Sequence, residues 1–218
     1  MARKLTGADF KLPALLLALS FAPALGGIAR LASLGGATVT ADNARFMAAP
    51  IPVVIHVISA TLYCLLGAFQ FTLAFRLRWP FVHRRAGRVL AVSGLLAAGS
   101  GLWMTVSYPI PTSLQGPLVF GVRLVVALAM LASILIAWSS ILRRDVARHE
   151  AFMIRAYALG QGAGTQALVL LPWMLISGES GGLTRDLLMT LAWTINVAVA
   201  ESIIASRRRA PRLSPQAG

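Results

Sequence analysis

Along most of the chain apolar residues follow one another without the polar interruptions of a soluble helix or the alternation of a half-buried strand. These runs are separated by short clusters of arginine. A helix that crosses the hydrocarbon core of a bilayer needs about 20 predominantly apolar residues. Six segments meet that length: Leu12 to Leu34, Pro52 to Phe75, Val89 to Ser107, Leu118 to Leu142, Ala156 to Ser177 and Leu187 to Ala205. A membrane strand would be about 10 residues long and would alternate between two faces. The runs therefore predict helices, which satisfy their backbone groups internally. The expected fold class is all-α, a single polytopic transmembrane bundle over residues 1–206. A basic, disordered cytoplasmic tail over 207–218, carrying Pro211 and Pro215, is expected to follow. The connection Tyr108 to Pro117 holds three prolines and cannot be helical throughout.

The arginine clusters orient the bundle. Arg3, Lys4 and Lys11 precede the first run. Arg76, Arg78, Arg84, Arg85 and Arg88 lie between the second and third, and Arg143, Arg144, Arg148 and Arg155 between the fourth and fifth. Arg207, Arg208, Arg209 and Arg212 follow the sixth. The alternate connections and their flanking turns hold only Arg30, Arg45, Arg123 and Arg185. Cytoplasmic loops carry the excess of Lys and Arg, so both termini are expected on the cytoplasmic side. The basic start, the run Leu12 to Leu25 and the small residues after it also fit a signal peptide cleaved near Gly26 or Gly27. The apolar stretch continues to Leu34, which favours a retained helix.

Composition agrees with the pattern. Hydrophobic residues make up 57% of the 218 and charged residues 12%, against about 25% charged in an average soluble domain. In a soluble protein a net charge of +13 would point to nucleic acid. Here the basic residues sit where orientation signals belong, and nucleic-acid binding is not expected. The arginine-rich face is instead suited to anionic lipid headgroups. Cys64 is the single cysteine, so intrachain disulfides and multi-thiolate metal sites are excluded.

Two stretches echo each other. HRRAGRVLAVSG begins at His83 and HEAFMIRAYALG at His149, and each has a glycine eleven residues after its histidine, Gly94 and Gly160. This predicts a repeated helical hairpin, the second and third segments matching the fourth and fifth, packed as a four-helix core.

The candidate chemistry rests on three histidines. At about 1.5 Å per residue, the nineteen residues from His56 to Phe75 cover roughly 28 Å, nearly the hydrocarbon thickness. His56 therefore cannot share a metal with His83 or His149, which sit in the basic connections on the opposite side. His83 and His149 can meet, either as axial ligands of a haem iron or as interfacial residues bonding backbone and headgroups. His56, inside a span, is a functional candidate. It could pair with Met104 or Met174 at similar depth on a second haem, or simply bond a neighbouring helix. Arg123, inside the fourth segment, either snorkels or pairs with an anionic ligand such as a haem propionate. Glu201 among arginines reads as local neutralisation. Gln70, Gln161, Gln166 and Asn196 read as interhelical amide bonds, and Gly160, Gly164 and the stripe Ser93, Ala97, Gly101 as packing devices. No P-loop, nucleophile–base or H-E-x-x-H motif is present, so neither catalytic residues nor hydrolysis are expected.

The motifs IHVISATLYCLLGAFQF, RLRWPFVHRRAGR and RHEAFMIRAYAL, spread from His56 to about Tyr157, resemble a bacterial multi-pass membrane-protein family known as domain of unknown function 2306. The likeness implies a bacterial plasma (inner) membrane location. It singles out His56, Gln70, His83, Gly87, Arg88, His149, Met153 and Arg155, and implies no established activity. More loosely, helix count and histidine placement resemble b-type membrane cytochromes, although those present facing histidine pairs within helices. The leading expectation is a haem b protein in electron transfer or respiratory-complex assembly. Its ligands would be His83, His149 and His56, supported by Arg88, Arg155 and Arg123. A non-catalytic scaffold with a membrane-protein partner and a small-solute transporter are the alternatives.

Overall fold

The computed structural model describes residues 6–36, 38–41, 43–178 and 181–209. Among these residues every regular element is a helix, and nine helices occur. They are α1 (Gly7–Ser33), α2 (Ala44–Ala48), α3 (Pro50–Gly67), α4 (Leu73–Arg78), α5 (Pro80–Ser107), α6 (Pro117–Leu142), α7 (Val146–Gly160), α8 (Gly162–Ser177) and α9 (Gly182–Arg209). Six spans are long and apolar enough to cross a bilayer: α1, α3, α5, α6, α7 with α8, and α9. Their outer faces are apolar to an extent water would not tolerate, Leu175 and Ile176 being 83% and 86% exposed. The interior is built from alanines, glycines and Ser, Thr and Gln side chains, the composition that lets helices approach closely in lipid.

The bounds differ from the sequence expectation at the arginine-rich ends, for one reason. Arginine is a good helix former, so a basic cluster marks where a helix leaves the hydrocarbon and not where it stops. The third span begins at Pro80, whose fixed φ suits the first helical position. The stretch 80–88, read as loop, is its first turns. The fifth span begins at Val146 behind Asp145, whose carboxylate accepts from the Arg148 N–H at 3.0 Å. His83 and His149 thus stand in the opening turns of helices and not in loops. The second span ends early, at Gly67, and Gln70 lies in the turn before α4. The sixth runs on through Arg209, so Arg207 to Arg209 are helical where a disordered tail was expected. Arg3, Lys4, Pro211, Arg212, Pro215 and the rest of 210–218 lie outside the described residues.

The fifth span is broken at Gln161, between α7 and α8. The first span packs into the bundle: a Cβ on Gly27 would lie 2.8 Å from Val57 of α3, and Ser20 bonds Gln161. The core joins four helices through Tyr63 (α3), Leu90 and Ala98 (α5), Ile134 (α6) and Tyr157 (α7). The hairpins α3–α5 and α6–α7 meet there, giving the four-helix core.

The sequence echo has a physical counterpart in this core. Tyr63, 1% exposed, is wedged between the two echoed glycines. A Cβ on Gly94 would lie 2.7 Å from its Cε2, and one on Gly160 2.8 Å from its Cε1. Neither helix can carry a side chain there without displacing the ring. Substituting leucine at Gly94 or Gly160 is expected to destabilise the bundle by about 1–3 kcal/mol, the usual cost of overpacking, read as a lower melting midpoint in detergent. At the α6–α7 turn Arg144 holds φ at 61°, a region costly for any side chain. Arg144→Gly is expected to raise stability by about 0.5–1 kcal/mol in the same measurement.

Candidate functional site

The bundle holds a partly open cavity of about 500 Å³, within the range of roughly 300–1,000 Å³ typical of small-molecule sites. It runs from the arginine-poor end of the bundle, beneath Phe46 and Tyr108, to the break at Gln161. Its lining mixes the small residues Ala60, Ala97 and Ala98 with larger side chains such as Tyr63, Met130 and Trp193.

His56 stands on this wall. Its Nδ1–H donates to the Ala97 carbonyl at 2.9 Å, with Ser100 Oγ 3.2 Å away. The carbonyl can only accept, so it assigns the tautomer and leaves Nε2 as the lone-pair nitrogen. Gly101 makes room for the ring, since a Cβ there would lie 3.1 Å from His56 Cε1. The Ala97–Gly101 stripe on α5, expected to be a packing device, therefore also seats an imidazole. Met104 lines the same cavity. Met174 is 45% exposed and does not line it.

At the arginine-poor mouth stand Arg123 of α6 and Arg185 of α9. Arg123 Nη1 donates to Gln115 Oε1, and Gln115 Nε2 reaches the Thr105 carbonyl at 3.3 Å. Asp186, 2% exposed, accepts from the Gly116 N–H at 3.1 Å and the Val119 N–H at 3.0 Å. It thereby caps the first turn of α6, and Gly116 admits it, since a Cβ there would lie 2.4 Å from its Oδ2. Deeper in, Tyr63 and Gln166 belong to the lining, the Tyr63 hydroxyl and Gln166 Nε2 being buried without a hydrogen-bond partner. At its floor Gln161 Nε2 donates to the Ser20 hydroxyl at 3.0 Å and the Tyr157 hydroxyl at 2.8 Å. Tyr157 in turn donates to the Cys64 carbonyl at 2.7 Å. Asn196 receives Thr165 Oγ1 at 2.7 Å and donates to the Ala158 carbonyl at 2.9 Å. Gln161 and Asn196 are thus interhelical bonds, as their positions implied.

The other two histidines are far from this cavity and near each other. His83 and His149 lie within range of each other's charge. His149 Nδ1–H donates to the Ala137 carbonyl at 2.9 Å, and His83 Nδ1 is buried without a hydrogen-bond partner. Gln70 approaches Gly87 beside them. Arg155 is committed to Glu201 by paired bonds of 2.6 and 2.8 Å, the local neutralisation expected of that acid. Arg88 is exposed to the surroundings. A second cleft, lined by Arg148, Phe152 and Arg208, lies between α7 and α9 at the arginine-rich end. Glu150 at its edge is paired with Arg207 and Arg76.

Sequence reasoning passed over Tyr63 and Asp186, and read Arg185 only as one of the few basic residues flanking the arginine-poor connections. The signal present was an adjacent Arg–Asp pair at the start of a span, where a lone acid has to find donors.

An apolar exterior, six crossing helices and a polar-edged interior cavity define a multi-pass integral membrane protein, with the lipid bilayer as its surroundings. The chain belongs to the family described as Predicted membrane protein (DUF2306), whose model matches residues 53–204, from α3 through most of α9. No curated protein and no solved structure matches the chain.

Two outcomes follow for the apo protein. Asp186→Ala leaves two backbone donors of α6 without acceptors and is expected to lower stability by about 1–3 kcal/mol. Tyr63→Phe deletes a buried hydroxyl that has no partner, so the melting midpoint should hold or rise; a fall would show that the hydroxyl is bonded.

Proposed function

We propose that the protein binds haem b within the membrane and serves electron transfer or respiratory-complex assembly, with His56 as an axial ligand in the intrabundle cavity. The observation that carries this reading is the His56 imidazole. It is tethered through Nδ1 to a backbone carbonyl and keeps Nε2 as its lone-pair nitrogen, the arrangement by which proteins orient an iron- or zinc-ligating histidine. Bound haem would supply one-electron chemistry at its iron. Ala97 and Gly101 fix the ring plane, Met104 offers a thioether on the same wall, and the small residues exclude water while leaving volume. The mutual proximity of His83 and His149 supports a second iron position at the arginine-rich end, with Arg88 near the membrane surface. Arg155 would act there only through its pairing with Glu201.

In this reading the protein lies in the bacterial inner membrane with the arginine-rich end, and both chain ends, in the cytoplasm. Its basic collar contacts anionic headgroups there, and a membrane-protein partner is expected if the role is assembly. A second reading, a small-solute transporter, is favoured by the break at Gln161. Broken helices at mid-membrane characteristically border transport sites, and this one forms the cavity floor.

Protein purified in detergent from haem-supplied cells is expected to show a Soret band that His56→Ala reduces to the share contributed by the second iron position. Loss of the band in His149→Ala and its survival in His56→Ala would move the iron to the other histidines. A colourless wild-type protein would end the haem reading. Reporter fusions in the turns at Arg84 and Arg144 are expected to report a cytoplasmic location.

A further inference from the structure

The two guanidinium groups at the mouth of the cavity have one acid beside them, Asp186, whose charge reaches Arg123, so two cations and one anion leave one positive charge in excess. Arg123 and Arg185 come from different helices, line the same chamber and lie within range of each other's charge. Like charges held together in a low-dielectric interior repel, and such a pair persists where an anion offsets it. Asp186 offsets part of this repulsion from a distance, but its carboxylate oxygens accept from the N–H groups of Gly116 and Val119, and among the described residues it forms no direct salt bridge with either arginine. Gln115, which receives Arg123, is neutral and fixes the side chain without cancelling its charge. Arg185 Nε is buried with no acceptor. Among the described residues no aspartate or glutamate lines the cavity.

Behind this cationic mouth the chamber is apolar, walled by Val57, Ala98, Val126, Met130, Leu159 and Met189. A soluble inorganic anion would leave this apolar depth unfilled. A neutral lipid would leave the guanidiniums unpaired.

We propose that Arg123 and Arg185 form a carboxylate-binding site, which anchors the acidic end of an amphipathic ligand whose apolar body fills the cavity toward Gln161. The guanidinium fork matches a carboxylate in two parallel bonds. Seated this way, the ligand enters and leaves by its charged end at the arginine-poor mouth. The site deepens the haem reading, in which the carboxylates are the two propionates, and it is separable from it because it needs no iron. A long-chain fatty acid presents the same chemistry.

The test uses the full chain in discs of zwitterionic lipid. Iron protoporphyrin IX is titrated against its dimethyl ester, and laurate against dodecanol. Each wild-type comparison removes the carboxylate from the ligand, so it needs no variant to fold. Porphyrin is followed by absorbance and the aliphatic pair by the melting midpoint. The free acid is expected to bind about tenfold or more tightly than the ester, the scale of one charge-assisted hydrogen bond. Laurate should raise the midpoint where dodecanol does not. Both preferences should shrink in Arg185→Gln and in Arg123→Gln. If neither porphyrin binds while laurate alone stabilises, the carboxylate site stands and the iron reading fails. If acid and ester bind equally and laurate matches dodecanol, the iron reading stands and the carboxylate site is overturned. If no probe binds, both are overturned.

Discussion

A polar group in hydrocarbon finds no water, so every donor and acceptor inside this bundle must be satisfied by another part of the protein or by something the protein holds. That constraint accounts for the helices themselves, whose backbone bonds close within each span. It accounts for the Gln161 network, which ties α1, α7 and α3 through Ser20, Tyr157 and the Cys64 carbonyl. It also accounts for the histidines: His56 and His149 each give Nδ1–H to the carbonyl of a neighbouring helix, Ala97 and Ala137. The constraint is visibly unmet at Arg185 Nε, Gln166 Nε2, the Tyr63 hydroxyl, Thr72 Oγ1 and His83 Nδ1, which are buried without a hydrogen-bond partner.

Packing in lipid gains nothing from hiding apolar surface, since the solvent is as apolar as the core. Helices approach because small residues let them. Gly94 and Gly160 show the consequence, each giving up its side chain so that the Tyr63 ring can sit between α5 and α7. Gly101 does the same for the His56 imidazole.

The break at Gln161 connects architecture to use. A continuous fifth span would carry its backbone bonds past the cavity floor. The interruption instead places Gly160, Gln161, Gly164 and Gln166 around that floor. A Cβ on Gly164 would lie 2.3 Å from the Leu19 carbonyl oxygen, so α8 is drawn against α1 there. The cavity is thus bounded at mid-bundle by close backbone packing and carries polar residues at its mouth.

The apolar runs and the alternation of arginine clusters were enough to give six spanning helices, because length in lipid and charge at the interface are properties of the chain read in order. The depth separation of His56 from His83 and His149 was legible for the same reason, as helical rise is fixed. The echo of Gly94 and Gly160 was visible as spacing, but its meaning was not. Which ring enters between two glycines depends on how hairpins dock, and Tyr63 lies on a third helix. Helix ends were misread where arginine was taken as a stop, since a charged side chain sets depth without ending a helix. Only the tertiary structure brought Arg123 of α6 to Arg185 of α9, engaged Asp186 on the α6 backbone and left the guanidiniums facing a chamber. Those relations join residues distant in sequence, and contact between spans is decided by packing, which no linear pattern of apolar and charged positions encodes.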